Sequence, residues 1–213
     1  MIQRPFTAVT GLILLACSGT AAELVVRDIR ASAGIRPTAF DFTLATPTLQ
    51  ASGTDSFDAG IGLELGGRWS FSRPGDAVGL VVGIDGMLDG YSYGGGDGLA
   101  TTWLRVSAGP GWAITDRWTL TGEVGAMYGV SAIALPPTTS SSDFSATGTA
   151  TGYDVRLVTS WLLTRQFAVG AYVGYMMASH DLSGDAAMTV DQSGMVGGLE
   201  LIWRFTDAPP RLE

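Results

Sequence analysis

From Met195 to Phe205 the chain alternates without a break: Met, Gly, Leu, Leu, Trp and Phe hold the odd positions, and Val, Gly, Glu, Ile and Arg the even ones. A β-strand sends successive side chains to opposite faces, so one face of this segment is greasy and ends in aromatics while the other carries a carboxylate, a guanidinium and small residues. Such a strand needs hydrocarbon on one side and a narrow polar interior on the other. The wall of a membrane-spanning β-barrel offers both.

Seven more segments repeat the pattern. Residues 58–71 place Ile61, Leu63, Leu65, Trp69 and Phe71 against Asp58, Gly60, Gly62, Glu64, Gly66 and Arg68, and residues 77–89 set Val78, Leu80, Val82, Ile84 and Leu88 against Gly79, Gly83, Asp85 and Asp89. Residues 100–114, 118–130, 152–163 and 167–179 behave likewise, and a weaker first segment, 28–37, alternates Ile29, Ala31, Ala33 and Ile35 with Arg30, Ser32 and Arg36. Beyond the N-terminus no apolar run approaches the roughly 20 residues that a membrane helix requires. A closed barrel is then the one remaining way to satisfy every backbone N–H and C=O within lipid. The expected fold is all-β, an eight-stranded antiparallel up-and-down transmembrane barrel filling residues 23–205.

The N-terminus reads as an export signal over residues 1–22: Arg4 is the positive flank, Phe6 to Ala16 is apolar but too short to span, and Ala21-Ala22 precedes a cleavage point. Leu14-Leu15-Ala16-Cys17 also approximates a lipobox, which would make Cys17 the lipidated first residue. Cys17 is the sole cysteine, so cleavage before Glu23 leaves no disulfide and no thiol chemistry.

Connections alternate in length. Residues 72–76, 115–117 and 164–166 are tight, whereas 38–57, 90–99, 131–151 and 180–192 are long and rich in Gly, Ser, Thr or Pro; Phe40, Phe42 and Leu44 alternate within the first and would extend a hairpin above the membrane. Short turns on the periplasmic side and long loops outside, with an even strand number, leave both termini periplasmic. Residues 206–213 form a short periplasmic tail. Trp69, Phe71, Trp112, Trp118, Trp161, Phe167, Trp203 and Phe205 all share the apolar parity near the short turns, forming one interfacial girdle, and Tyr128, Tyr153 and Tyr175 mark a second belt at the opposite end.

On these features, eight amphipathic strands behind a signal and the terminal Trp203-Arg204-Phe205, the chain resembles the small outer-membrane barrels of the OmpA transmembrane-domain and OmpX type. The resemblance implies residence in the bacterial outer membrane among lipids and lipopolysaccharide, delivery by the barrel assembly machinery, and a structural or surface-interaction role. The continuation past Phe205, and Glu200 where the assembly signal often has Gly, depart from that pattern.

The interior parity gathers Arg30, Arg36, Arg68, Arg105, Arg156 and Arg204 with Glu64, Asp85, Glu123, Asp154 and Glu200. Opposite charges in a narrow low-dielectric lumen must pair, so the expectation is a charge plug. A small porin-like channel is the alternative, because inward glycines such as Gly60, Gly62, Gly109, Gly111, Gly125, Gly129, Gly170 and Gly174 leave room for water.

An outer-leaflet lipid-modifying enzyme is a second alternative, raised by Ser179-His180-Asp181, which contains the only histidine. Neighbours in sequence seldom form a triad, and the expectation is a solvated loop histidine and no catalytic residues. The single Gly94-Gly95-Gly96-Asp97-Gly98 reads as a hairpin connection, and no cofactor, metal constellation or nucleotide fingerprint is expected. A net charge of −8 argues against nucleic acid. The long loops hold Asp41, Asp55, Asp97, Asp143, Asp181, Asp185 and Asp191 without an arginine, while Arg73, Arg117 and Arg165 lie at the short turns. That acidic rim is expected to be hydrated, and the alternative is that it holds divalent cations or favours basic ligands.

Overall fold

The computed structural model describes residues 23–46, 48, 50–72, 77–94, 98–135 and 144–205. The signal segment with Cys17, the tail after Phe205, and Arg73, Asp97 and Asp143 lie outside the described residues. Among these residues ten strands run in chain order: β1 (Glu23–Ile35), β2 (Ala39–Ala45), β3 (Gln50–Ser56), β4 (Ala59–Ser72), β5 (Val78–Ser92), β6 (Leu99–Ala113), β7 (Trp118–Leu135), β8 (Phe144–Leu162), β9 (Phe167–Gly184) and β10 (Ala187–Arg204). They form one antiparallel sheet ordered β1-β4-β5-β6-β7-β8-β9-β10-β2-β3, with β1 also paired to β10. Eight strands, β1 and β4 to β10, therefore close on themselves and leave no free edge around the barrel.

Closure runs from Asp28↔Arg204 to Ile35↔Gly197. After a break at residues 36–38 the chain rejoins β10 as β2, from Phe40↔Gln192 to Ala45↔Ala187, and turns back as β3. Pro37, which cannot donate to a ladder, sits at this break, and a Cβ on Gly194 would lie 2.8 Å from the Cβ of Pro37, so only glycine lets the strands pass there. The segment 38–57, expected as a loop with a hairpin tendency in Phe40, Phe42 and Leu44, is a formed hairpin stitched on by Phe57 N–H to Thr38 O at 2.9 Å.

Two other outer connections are corrected. Residues 131–151 and 180–192 were expected as loops, yet β7 runs on to Leu135, β8 starts at Phe144, and only Asp185 and Ala186 separate β9 from β10. The reason is a reversal of amphipathicity rather than its end. Below, Leu199 is 72% exposed and its neighbour Glu200 only 2%. Above, outward positions become polar, with Thr147, Thr149, Ser179, Asp181 and Asp191, while inward positions become apolar, with Ile133, Ala146, Leu182, Met188 and Val190. Period two persists with its sign inverted, as for strands that leave lipid and enter water. Thr is a strong strand former, so the polar composition does not stop the ladder.

Candidate functional site: a lumen of paired charges beneath an apolar cap

Each of the eight barrel strands contributes to the interior. Arg30 Nε and Nη2 donate to Asp85 at 2.8 and 2.5 Å. Arg105 reaches both oxygens of Asp154 through Nε (3.1 and 2.9 Å) and donates through Nη1 to Asp85 (3.0 Å) and Glu123 (3.2 Å). Arg156 Nε donates to Asp154 at 2.6 Å, and its Nη1 to both Glu64 oxygens at 2.9 and 2.8 Å. Arg36 joins Glu64 (2.8 Å), Asp89 (2.6 Å) and the Tyr172 hydroxyl (3.0 Å). Arg68 Nη2 lies 2.8 Å from Glu123 and 3.7 Å from Glu200, and Arg30 Nη1 donates to Glu200 at 3.1 Å. All these side chains are buried. Arg204 and Asp28 stand apart from the network, joined at 3.2 Å at the end where the tight turns lie.

Glycine makes this density possible. The Arg36 guanidinium lies over Gly62, and Asp154 and Arg105 lie over Gly125, closer than any Cβ would allow. Inward glycines expected to leave space for water therefore lie against other groups instead, with Gly60 under the Tyr91 ring, Gly111 under Val81 and Gly174 against Arg156. A cavity of about 110 Å³ is found at the lower mouth, lined among others by Asp28, Arg68, Thr121, Ser160 and Arg204.

Above the charges, a second layer packs Met87, Trp103, Met127, Tyr172, Met176 and Val196. Trp103 Nε1 donates to Asp89 at 2.9 Å, and Arg156 stacks 4.8 Å from the Tyr172 ring centre. A polar strut then crosses the lumen. Gln192 donates weakly from Nε2 to Pro37 O at 3.4 Å, which turns its carbonyl to His180 Nε2 at 3.0 Å. His180 Nε2 must then carry the proton, so Nδ1 accepts from the Ser131 hydroxyl at 2.8 Å, and Ser131 in turn lies 2.9 Å from Thr101 Oγ1.

His180 is thus a correction: it is 0% exposed within β9, not a solvated loop residue, while Ser179 and Asp181 point to the opposite, exposed face. Alternation separates the three residues that sequence places side by side.

The apolar cap closes the upper end. Phe40 from the hairpin stacks on Phe57 at 4.4 Å, Phe57 meets Tyr91 at 5.0 Å, and Leu99, Ile133, Leu182 and Val190 complete the layer. Outside the cap, Tyr93 donates to Asp55 at 2.5 Å, and this bond holds the Asp55 carboxyl below its ordinary range. Trp103, Tyr172, Asp28 and the strut were not anticipated from sequence, and Asp89, placed on the inward parity of residues 77–89, was not counted among the paired charges. Asp89 and Trp103 share the parity of Asp85 and Arg105, the one signal that points to them.

On the outside, Trp118 and Trp161 are register partners and Trp118 Nε1 donates to Thr159 at 2.6 Å. Phe167 and Trp203 meet edge-on at 4.5 Å. Trp69, Phe71 and Trp112 are half-buried on the same outer surface, and Phe205 is exposed beside them. Tyr128, Tyr153 and Tyr175 are exposed at the other level.

No sequence-family profile and no curated protein matches the chain. Solved structures similar to it include Ail, the attachment invasion locus protein of Yersinia pestis, in complex with the heparin analogue sucrose octasulfate (15% identity over 85% of this chain and 100% of that one, TM-score 0.40). Neisserial surface protein A shares 14% identity over 84% of this chain and 95% of that one, with TM-score 0.42. The outer membrane protein OprG from Pseudomonas aeruginosa shares 11% over 86% and 98%, with TM-score 0.49.

Proposed function

We propose that this chain is an integral protein of the bacterial outer membrane with a structural or surface-interaction role, whose lumen is sealed and non-catalytic. The observation that carries the reading is the outer surface of the barrel: an exposed apolar band that includes Leu63, Leu65, Leu104, Val155, Leu199 and Leu201, bounded by Trp118, Trp161 and Trp203 at one level and by Tyr128 and Tyr175 at the other. Such a band between aromatic belts is stable in lipid and is an aggregation hazard in water. Lipids and lipopolysaccharide are its partners in this reading, and the barrel assembly machinery inserts it. The tight turns and both termini face the periplasm, and the β2–β3 hairpin stands outside the cell. The enclosure of His180 by Ser131, Gln192 and Trp103 favours a packing role for that residue.

Labelling of intact cells with a membrane-impermeant maleimide tests location and orientation together. Thr43→Cys on the hairpin should label and Arg117→Cys at a tight turn should not, each against the parent chain as background. Labelling at Arg117→Cys alone would reverse the orientation, and recovery of the protein in the inner membrane or the soluble fraction would overturn the reading.

A further inference from the structure

Among the described residues the interior network holds six carboxylates, Glu64, Asp85, Asp89, Glu123, Asp154 and Glu200, against five guanidiniums, Arg30, Arg36, Arg68, Arg105 and Arg156, all of them buried. Asp28 and Arg204 neutralise each other at 3.2 Å and do not alter the balance. His180 accepts from Ser131 at one nitrogen and donates to Gln192 at the other, the pattern of a neutral ring, so it adds no charge. One positive charge is missing from a region where an uncompensated ion is expensive.

The deficit is local. Glu64, Asp85 and Asp154 are each held by two guanidiniums, Asp89 by Arg36 and the Trp103 indole, and Glu123 by Arg105 and Arg68. Glu200 differs. Only its Oε1 is engaged, by Arg30 at 3.1 Å and more distantly by Arg68 at 3.7 Å, and its Oε2 is buried without a hydrogen-bond partner; Glu123 Oε1 also makes no hydrogen bond but has the Arg68 guanidinium 2.8 Å away, which Glu200 Oε2 does not. Its cross-strand neighbour, Ser32, also has a buried hydroxyl without a partner. Two partnerless oxygens therefore sit on facing residues of β1 and β10, at the carboxylate with the weakest cationic support.

We propose that Glu200 and Ser32 form a binding site for one monovalent cation, a proton or an alkali-metal ion, which completes the charge balance of the lumen. Bound there, the cation gives Glu200 Oε2 and Ser32 Oγ the interaction that the side chains lack. Access is from the lower mouth, whose cavity is lined by Arg68, the residue next to Glu200 in the network. The apolar cap bars the other end.

The test uses the full chain refolded in detergent. Infrared spectra at neutral pH report the C=O stretch of a protonated carboxyl, and urea midpoints in sodium, potassium and choline salts at one ionic strength report an alkali ion. A carboxyl band absent from Glu200→Gln establishes the proton. A midpoint higher in sodium or potassium than in choline, and equal in all three for Glu200→Gln, establishes the metal ion. Either result supports the site, and with either Glu200→Gln should unfold at no lower urea than the parent, whereas Glu64→Gln should unfold at distinctly lower urea. Absence of both signatures in the parent would overturn the proposal. So would a band or an ion dependence that survives in Glu200→Gln. Both readings on the parent need no variant to fold.

Discussion

At the scale of the residue, the interior is governed by what an arginine demands when it leaves water. Asp85 accepts from Arg30 and Arg105 together, so Asp85→Ala removes a partner from two buried guanidiniums, leaving Arg30 to Glu200 and Arg105 to Asp154 and Glu123. It should cost about 3–5 kcal/mol in urea unfolding, against less than about 0.5 kcal/mol for Asp185→Ala on the exposed turn. His180→Ala should cost about 2–4 kcal/mol, since it removes the two hydrogen bonds that His180 makes in the strut and leaves a void beside Trp103. A midpoint unchanged from the parent would return His180 to a solvated loop. Outside the barrel, the Tyr93 hydroxyl depresses the Asp55 pKa. A depressed carboxyl contributes stability above its unfolded value, about 3.9, and loses it as pH falls through the lower folded value. Side-chain NMR titration should therefore show the Asp55 midpoint rising in Tyr93→Phe. Asp55 is exposed, so the global unfolding midpoint should scarcely move.

At the scale of the element, β7 to β10 run from the outward apolar band into a zone of polar outward residues without ending, and the change is written in which parity is apolar. On β9, Val173, Tyr175 and Met177 face out below Ser179, Asp181 and Ser183, while Met176, His180 and Leu182 face in. The lower halves were legible in the sequence because their outward positions are long aliphatics and aromatics. The upper halves were not, because Thr, Ser, Gly and Asp are also the vocabulary of loops, and a change of phase looks in sequence like an end. Parity alone also assigned the interior charges, but it could not rank their partners, since pairing across a lumen depends on shear and tilt that no single strand contains. His180 was misread for the same reason as its strand. Leu65→Arg, within the outward apolar band, should cost about 2–4 kcal/mol in bilayers, whereas Thr149→Arg, above it, should change stability by less than about 0.5 kcal/mol. Equal costs would place the lipid boundary elsewhere.

At the scale of the whole molecule, the barrel is a cylinder filled in layers: a small lower cavity, a network of paired charges, an aromatic and methionine layer, a polar strut and an apolar cap. The β2–β3 hairpin belongs to the cap but not to the closure, because β1 pairs with both β4 and β10 beneath it. Closure without a free edge should keep the unboiled protein compact in detergent gels, with a shift on boiling. In the proposed reading both the charges and the cap block the lumen, and planar-bilayer recording on the refolded protein tests this most directly. The predicted trace is flat at applied voltages that leave the bare membrane intact. Discrete, reproducible conductance steps that depend on the protein would contradict a sealed lumen and assign the barrel to the channels.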